Sequence, residues 1–187
     1  MDIREQKNQL RQRIKEINDT LTPEYCSEAS RIICDKVLLI DGFKNADTVF
    51  CFVGVGSEPD TRPIIEAAIK AGKHLCVPLC LDKTTMAAIE ITDYDRDLER
   101  GFYGLLEPKK DLPVVYVDNI DFAVIPCVSC DSEGNRLGHG RGYYDRYLEG
   151  RSFECVMLCF EKAMSAVGEI PVDEHDRAIE TVITDAQ

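Results

Sequence analysis

Residues 47–79 read DTVFCFVGVGSEPDTRPIIEAAIKAGKHLCVPL, and the succession of patterns in this stretch decides the fold. Residues 47–53 form a nearly unbroken apolar run of strand length. Residues 61–71 have helical composition, with Asp60 or Thr61 placed to cap the start and Gly72 placed to stop it. Residues 73–79 are a second apolar run. A strand with one face in water alternates polar and apolar residues. Strands apolar throughout are covered on both faces, which is the habit of parallel sheets joined by helices.

The pattern continues in both directions. Residues 2–19 carry Ile3, Leu10, Ile14 and Ile17 at helical spacing. Thr22-Pro23-Glu24 then supplies an N-cap with proline at the first helical position. The following helix turns Ala29, Ile32, Ile33, Val37 and Ile40 inward, and Gly42 is expected to end it. Beyond residue 79, strands are expected at 85–91, 122–127, 154–160 and 180–184, with a helix at 142–149. Residues 93–118 are mixed and rich in turns. The expected fold is α/β, a three-layer α/β/α sandwich with a mostly parallel sheet, formed by residues 1–187 as one domain. Ligands of such sheets sit beyond the carboxyl ends of the strands. The loops after Val53, Leu79 and Cys127 should therefore share one rim.

A net charge of −12 makes the chain a poor generic partner for nucleic acid or an anionic membrane. Any anionic ligand would need a local concentration of cations. No apolar run approaches the ~20 residues needed to cross a bilayer. The N-terminal segment has no apolar signal core, so a cytoplasmic, monomeric protein is expected. The nine cysteines are odd in number and come without a signal peptide, which argues against a disulfide framework. Cys76 and Cys80, Cys127 and Cys130, and Cys155 and Cys159 stand close in sequence. A zinc or redox site is one reading, with residues 127–130 as a CxxC. Small buried side chains in apolar strands is the other, and it is favoured, because no histidine sits at ligand spacing from any pair.

The segment after the strand at 122–127 reads VSCDSEGNRLGHGRGYYDRYLEG. Gly138, Gly140 and Gly142 lack Cβ, which permits positive φ and close approach of a ligand to the backbone. Peptide N–H groups of such a turn can converge on an anion, and the helix that follows adds its own free N–H groups. Arg136 and Arg141 carry planar forks suited to phosphate oxygens. The spacing is neither the Walker pattern nor the dinucleotide fingerprint. A flexible loop with solvated arginines is the plain alternative, and it does not account for glycines, arginines, preceding strand, following helix and Asp145 together. Asp145, in the first helical turn, either answers the helix dipole or helps to hold Mg²⁺ beside a phosphate. Lys7 and Arg11 lie one helical turn apart beside the Leu10/Ile14 stripe and could lean toward that phosphate.

The segment RLGHGRGYYDRYL resembles the RLGxGxGYYDR signature of the 5-formyltetrahydrofolate cyclo-ligase (methenyltetrahydrofolate synthetase) family. Lys7, Arg11, residues 58–61 (EPDT), 104–108 (GLLEP) and 170–176 (IPVDEHD) are similar to the family's other motifs in the same order. The resemblance implies an enzyme that uses ATP and Mg²⁺ to turn 5-formyltetrahydrofolate into 5,10-methenyltetrahydrofolate, releasing ADP and phosphate. It implies that Lys7, Arg11, Arg136, Leu137, Gly138, His139, Gly140, Arg141, Gly142, Tyr143 and Tyr144 hold ATP, with Lys7 and Arg136 as catalytic cations. Asp145 and Asp176 would hold Mg²⁺. Val53, Glu58, Tyr143 and Tyr144 would border the folate.

Two departures stand out. His139 occupies a position where the family often has another large residue, and residues 160–163 (FEKA) lack a glutamine common before the IP motif. The alternatives are an enzyme of sugar phosphates or coenzyme A thioesters on a similar sheet, a non-catalytic folate or nucleotide binder, and a cysteine-based metal or redox protein.

Overall fold

The strand–helix–strand unit of residues 47–79 lies at the centre of the computed structural model, which describes residues 2–101, 105–174 and 176–186. Three helices come first: α1 (Ile3–Asn18), α2 (Pro23–Leu39) and α3 (Asp41–Asn45). The unit itself is β1 (Thr48–Cys51), α4 (Arg62–Lys70) and β2 (His74–Cys80). Next come β3 (Met86–Ile91), α5 (Tyr94–Asp97), β4 (Leu98–Arg100), β5 (Leu106–Pro108) and β6 (Val114–Val115). The last part holds β7 (Phe122–Pro126), β8 (Ser129–Cys130), β9 (Arg136–Leu137), α6 (Tyr143–Leu148), β10 (Glu154–Leu158) and β11 (Thr181–Ile183).

Seven strands form the main sheet in the order β11-β10-β7-β1-β2-β3-β6. The pairs β1–β2, β1–β7, β7–β10 and β10–β11 are parallel, and β3 runs antiparallel to β2 and β6. The expected mostly parallel sheet is therefore present, with β3 alone running against the other strands near one edge. Every residue of β1 is buried, as its unbroken apolar sequence requires.

Chain direction reverses at β1 and β7. From β1 the chain crosses through α4 to β2 on one side, and from β7 through α6 to β10 on the other. Crossovers of one hand then place α4 and α6 on opposite faces. The side chains of β1 follow suit. Phe50 meets the rings of Tyr144 and Tyr147 in α6, at 6.3 and 5.4 Å between centroids. Cys51, the next residue, lies beside Cys34 of α2 and Thr61. The gap between the carboxyl ends of β1 and β7 is the switch point where such sheets bind ligands.

Local chemistry departs from expectation in two places. Thr61 occupies the N-cap position of α4, yet its hydroxyl does not cap. It donates to the Phe52 carbonyl at 2.6 Å and accepts from Gly54 N–H at 3.0 Å, tying the loop after β1 to the helix. Asp60 Oδ1 accepts from Arg62 N–H instead. Gly42 does not end α2, which stops at Leu39, but lies within α3. A Cβ there would stand 2.0 Å from the Glu154 carboxylate, the far end of an exposed side chain that would have to swing aside.

Thr61→Val keeps the side-chain shape and leaves Gly54 N–H and the Phe52 carbonyl without their partner. We expect a loss of about 1–3 kcal/mol in urea unfolding with an unchanged slope. A midpoint equal to the parent's would show that the hydroxyl holds nothing in place.

Candidate active site

The loop after β7 is built on a small hairpin, β8 and β9, in which Cys130 pairs with Arg136 and Ser129 with Leu137. Buried Asp131 closes its turn, accepting from Glu133 N–H, Asn135 N–H and Asn135 Nδ2 at 3.0, 3.0 and 2.9 Å. The hairpin presents Arg136 at the floor of a cleft. Its side chain is only 5% exposed, and Nη2 donates to Asp145 Oδ1 at 2.6 Å. Nη1 reaches the Pro126 carbonyl at 3.4 Å, and the guanidinium lies 5.7 Å from the Tyr144 ring centroid. Nε is buried with no hydrogen-bond partner, so this arginine has a donor that the protein leaves unmatched.

Gly140 and Gly142 adopt positive φ, 91° and 63°. A Cβ on Gly140 would stand 3.3 Å from the Arg11 guanidinium, and one on Gly138 would stand 3.0 Å from Arg136 Nη1. A Cβ on Gly142 would stand 2.8 Å from Arg146 Nη1, so all three glycines have an arginine of the protein itself beside them. Arg11 crosses from α1 and donates from Nε to the Gly138 carbonyl at 2.7 Å and from Nη1 to Asn8 Oδ1 at 2.7 Å. Burial weakens the hold of its guanidinium on the proton, and the Asp176 carboxylate opposes that effect. Lys7, one turn earlier, donates to Asp173 at 3.2 Å and to Asp176. Its side chain is 13% exposed. Lys7 and Arg11 of α1 both lean inward over the edge of the core.

Between α1 and the loop lies a cleft of about 390 Å³, lined by Lys7, Arg11, Arg136, Asp145 and Asp176 among others, with residues 138–144 along one wall. The cleft gathers five cations, Arg4, Lys7, Arg11, Arg136 and Arg141, from a chain of net charge −12. Leu137 is wholly buried and supports the loop from beneath, its carbonyl accepting from Val128 N–H. Helix α6 is six residues long and begins after Gly142, shorter than expected at both ends, so it contributes a correspondingly small dipole.

The three rim loops meet as expected. Glu58, in the loop after β1, accepts from Val55 N–H at 3.1 Å and lies 2.9 Å from His139 Nε2 in the loop after β7. Tyr143 donates its hydroxyl to the Asp82 carbonyl, in the loop after β2. Desolvation first, and then the Glu58 carboxylate, push the Tyr144 phenol well above its ordinary range. A second, more open cavity of about 720 Å³ adjoins the cleft and shares Arg11 and His139 with it. Val53 is half-buried against the core just past β1 and lines neither cavity.

This arrangement of one sheet, one glycine-rich loop and one N-terminal helix has known counterparts. The 5-formyltetrahydrofolate cyclo-ligase family matches residues 3–185. The chain belongs to that family. The Escherichia coli K12 cyclo-ligase is 28% identical over 91% of this chain and 96% of its own length. The mouse cyclo-ligase is 26% identical over 95% and 92%. Among solved structures, the Aquifex aeolicus 5,10-methenyltetrahydrofolate synthetase superposes with a TM-score of 0.84 at 24% identity, covering 97% of this chain and 90% of that one. At that identity the likeness speaks to the fold.

The sequence reading missed Arg4 and Asn8 and gave no role to Asp173 within residues 170–176; all three line the cleft. Arg4 and Asn8 precede Lys7 and Arg11 by three residues each, so helical spacing held the signal. Gly104 and His175, which belong to two of the family-like motifs, lie outside the described residues. Among the described residues, no helix is long and apolar enough to cross a membrane.

Removing Asp145 would leave the buried Arg136 guanidinium without its counter-charge. For Asp145→Ala, measured without nucleotide or divalent cation, we expect a loss of about 3 kcal/mol, and partial recovery in Arg136→Met/Asp145→Ala. Additive losses in the double variant would show that the two side chains do not depend on each other.

Proposed function

We propose that this chain converts 5-formyltetrahydrofolate to 5,10-methenyltetrahydrofolate with consumption of ATP and release of ADP and phosphate. The observation that carries the reading is the convergence of Lys7, Arg11 and Arg136 on one glycine-rich loop at the sheet's switch point. In this reading the chain acts as a single-domain, monomeric, cytoplasmic enzyme on small molecules, without nucleic acid or membrane.

The chemistry explains the need for those cations. A formamide oxygen is a poor leaving group. Its attack on the γ-phosphorus forms an O–P bond and expels ADP, which makes the formyl carbon electrophilic. N10 then attacks that carbon, the C–O bond breaks, phosphate leaves and the N10 proton is lost. No bond to the protein forms at any stage. The protein holds the two substrates in line and neutralises charge on the transferred group. Arg136, held by Asp145 and partly unmatched at Nε, faces the phosphoryl group, with Lys7 and Arg11 reaching the same cleft from α1. Residues 137–144 wrap the triphosphate, with Leu137 contributing only as a buried support.

Asp145 and Asp176 suit Mg²⁺, because both line the cleft and carboxylates with phosphate oxygens are the usual ligands of this ion. Mg²⁺ so held would neutralise charge on the phosphates. Both acids now pair with cations, Asp145 with Arg136 and Asp176 with Lys7. Glu58 offers its carboxylate to the pterin donors, with Tyr143, Tyr144 and Val53 as the apolar border.

Incubation with Mg·ATP and 5-formyltetrahydrofolate should develop the methenyl chromophore. No product at high enzyme concentration would overturn the reading. Arg136→Ala should cut turnover about a hundredfold, the loss typical of one charge-stabilising group, with circular dichroism reporting an intact fold. Glu58→Gln should raise KM for the folate and leave KM for ATP near the parent's. The opposite split would move Glu58 to the nucleotide.

A further inference from the structure

We propose that Cys127, Cys130 and Cys159 form a site for one soft d10 cation, Cu(I) or Zn(II), directly behind the nucleotide cleft. The three Sγ atoms lie within 4.8 Å of one another. Three sulfurs bound at about 2.3 Å around a single ion would be separated by about 4 Å, so small side-chain adjustments complete the site. A fourth sulfur is at hand: Met164 Sδ lies 3.3 Å from Cys130 Sγ.

Strand pairing creates the cluster. Cys127 follows β7 and Cys159 follows β10, and these strands run side by side with Leu158 opposite Pro126. The next residue of each strand is the cysteine. Cys130 returns to the same place through the two intervening residues of the CxxC. All three cysteines are buried; Cys127 also donates to the Leu158 carbonyl at 3.3 Å and Cys159 to the Phe160 carbonyl at 3.4 Å.

The donor set decides the class of ligand. It has sulfur only, with no carboxylate or imidazole in the cluster among the described residues. Hard ions such as Mg²⁺ and Ca²⁺ need oxygen, whereas thiolate and thioether select Cu(I) and Zn(II). Binding breaks up to three S–H bonds, forms as many sulfur–metal bonds and releases the protons to solvent, with no change of oxidation state. Because the cluster is enclosed, loading is slow in the folded chain or accompanies folding.

The position gives the site a consequence. Cys130 is the register partner of Arg136 across β8–β9, and Pro126, adjacent to Cys127, accepts from Arg136 Nη1. An ion here would fasten both ends of the segment that aims Arg136 into the cleft.

The test uses the full, untagged, reduced chain without nucleotide. Cu(I) and Zn(II) are titrated separately under anaerobic conditions against a chromophoric chelator, and Cd(II) serves as a third arm in which thiolate charge transfer counts the sulfurs. We expect one ion per chain, three thiolates per Cd(II) and a higher melting temperature when loaded. Cys159→Ser should lower affinity beyond the tenfold to roughly hundredfold that loss of an outer-shell partner costs. Cys80→Ser, at an exposed cysteine outside the cluster, should bind as the parent does. Should Cys159→Ser fail to fold, the Cd(II) sulfur count on the parent decides. Substoichiometric binding of every ion, unchanged affinity in a folded Cys159→Ser, or a sulfur count below three overturns the site and returns the cluster to ordinary packing.

Discussion

The register between β1 and β7 is the constraint on which the cleft depends. Val49 stands opposite Phe122 and Cys51 opposite Val124, so β7 runs two residues past β1 at the same edge of the sheet. Their loops then start side by side, and Glu58 and His139 can meet across 81 residues of sequence. A slip of one residue would turn every side chain of β1 to the other face. Phe50 would leave Tyr144 and Tyr147, and α6 would lose the rings on which it sits. The glycine-rich loop is carried between β9 and α6, so its geometry is inherited from the packing of Phe50. Burial of β1 on both faces enforces that register more firmly than any contact within the loop could.

Electrostatics at the cleft follow from this placement. An isolated buried guanidinium is costly, and Arg136 is tolerable because Asp145 and the Pro126 carbonyl answer it. Lys7 is answered in the same way by Asp173 and Asp176. The cleft therefore stands as two cation–carboxylate pairs. In the proposed reaction each pair would have to open, the cations turning to phosphate oxygens and the carboxylates to the metal. An exchange of this kind keeps every charge compensated before and after substrate entry. In that reaction the local positive surface within an acidic chain would stay masked by the carboxylates until an anion with its own divalent ion arrived.

How much of this was legible in the sequence depended on the range of the interaction. Apolar runs announced β1, β2, β7 and β10 because burial on both faces leaves no polar positions to confuse the pattern. Capping by Thr22 was legible because its partner, Tyr25 N–H, is three residues away. The role of Thr61 was not, since its hydroxyl serves Phe52 and Gly54, which are placed by the strand before it. Lys7 and Arg11 could be read as solvated or as leaning inward, and only the resemblance chose between them. The structure shows why they lean: α1 buries Leu10 and Ile14, and the stripe beside these faces the loop. The cysteine pairs show the limit most clearly. Packing describes Cys76 well, yet Cys80 is exposed, and the pair 155/159 does not act as a pair at all. Cys159 joins Cys127 and Cys130 because β10 lies beside β7, a fact of topology that local spacing does not contain.

The glycines of the loop carry this argument furthest. Absence of Cβ was read as room for a ligand against the backbone. At Gly138 and Gly140 that room is occupied by Arg136 and Arg11, whose guanidinium groups lie against the loop where a side chain would stand. The two cations are therefore brought to the backbone by the glycines, and the loop and the two arginines form one surface. Replacing Gly140 would strain a positive φ and also push Arg11 from the Gly138 carbonyl. A glycine-rich loop beside Arg136 and Arg11 thus packs two cations closely, with the Asp145 carboxylate and the Gly138 carbonyl answering them.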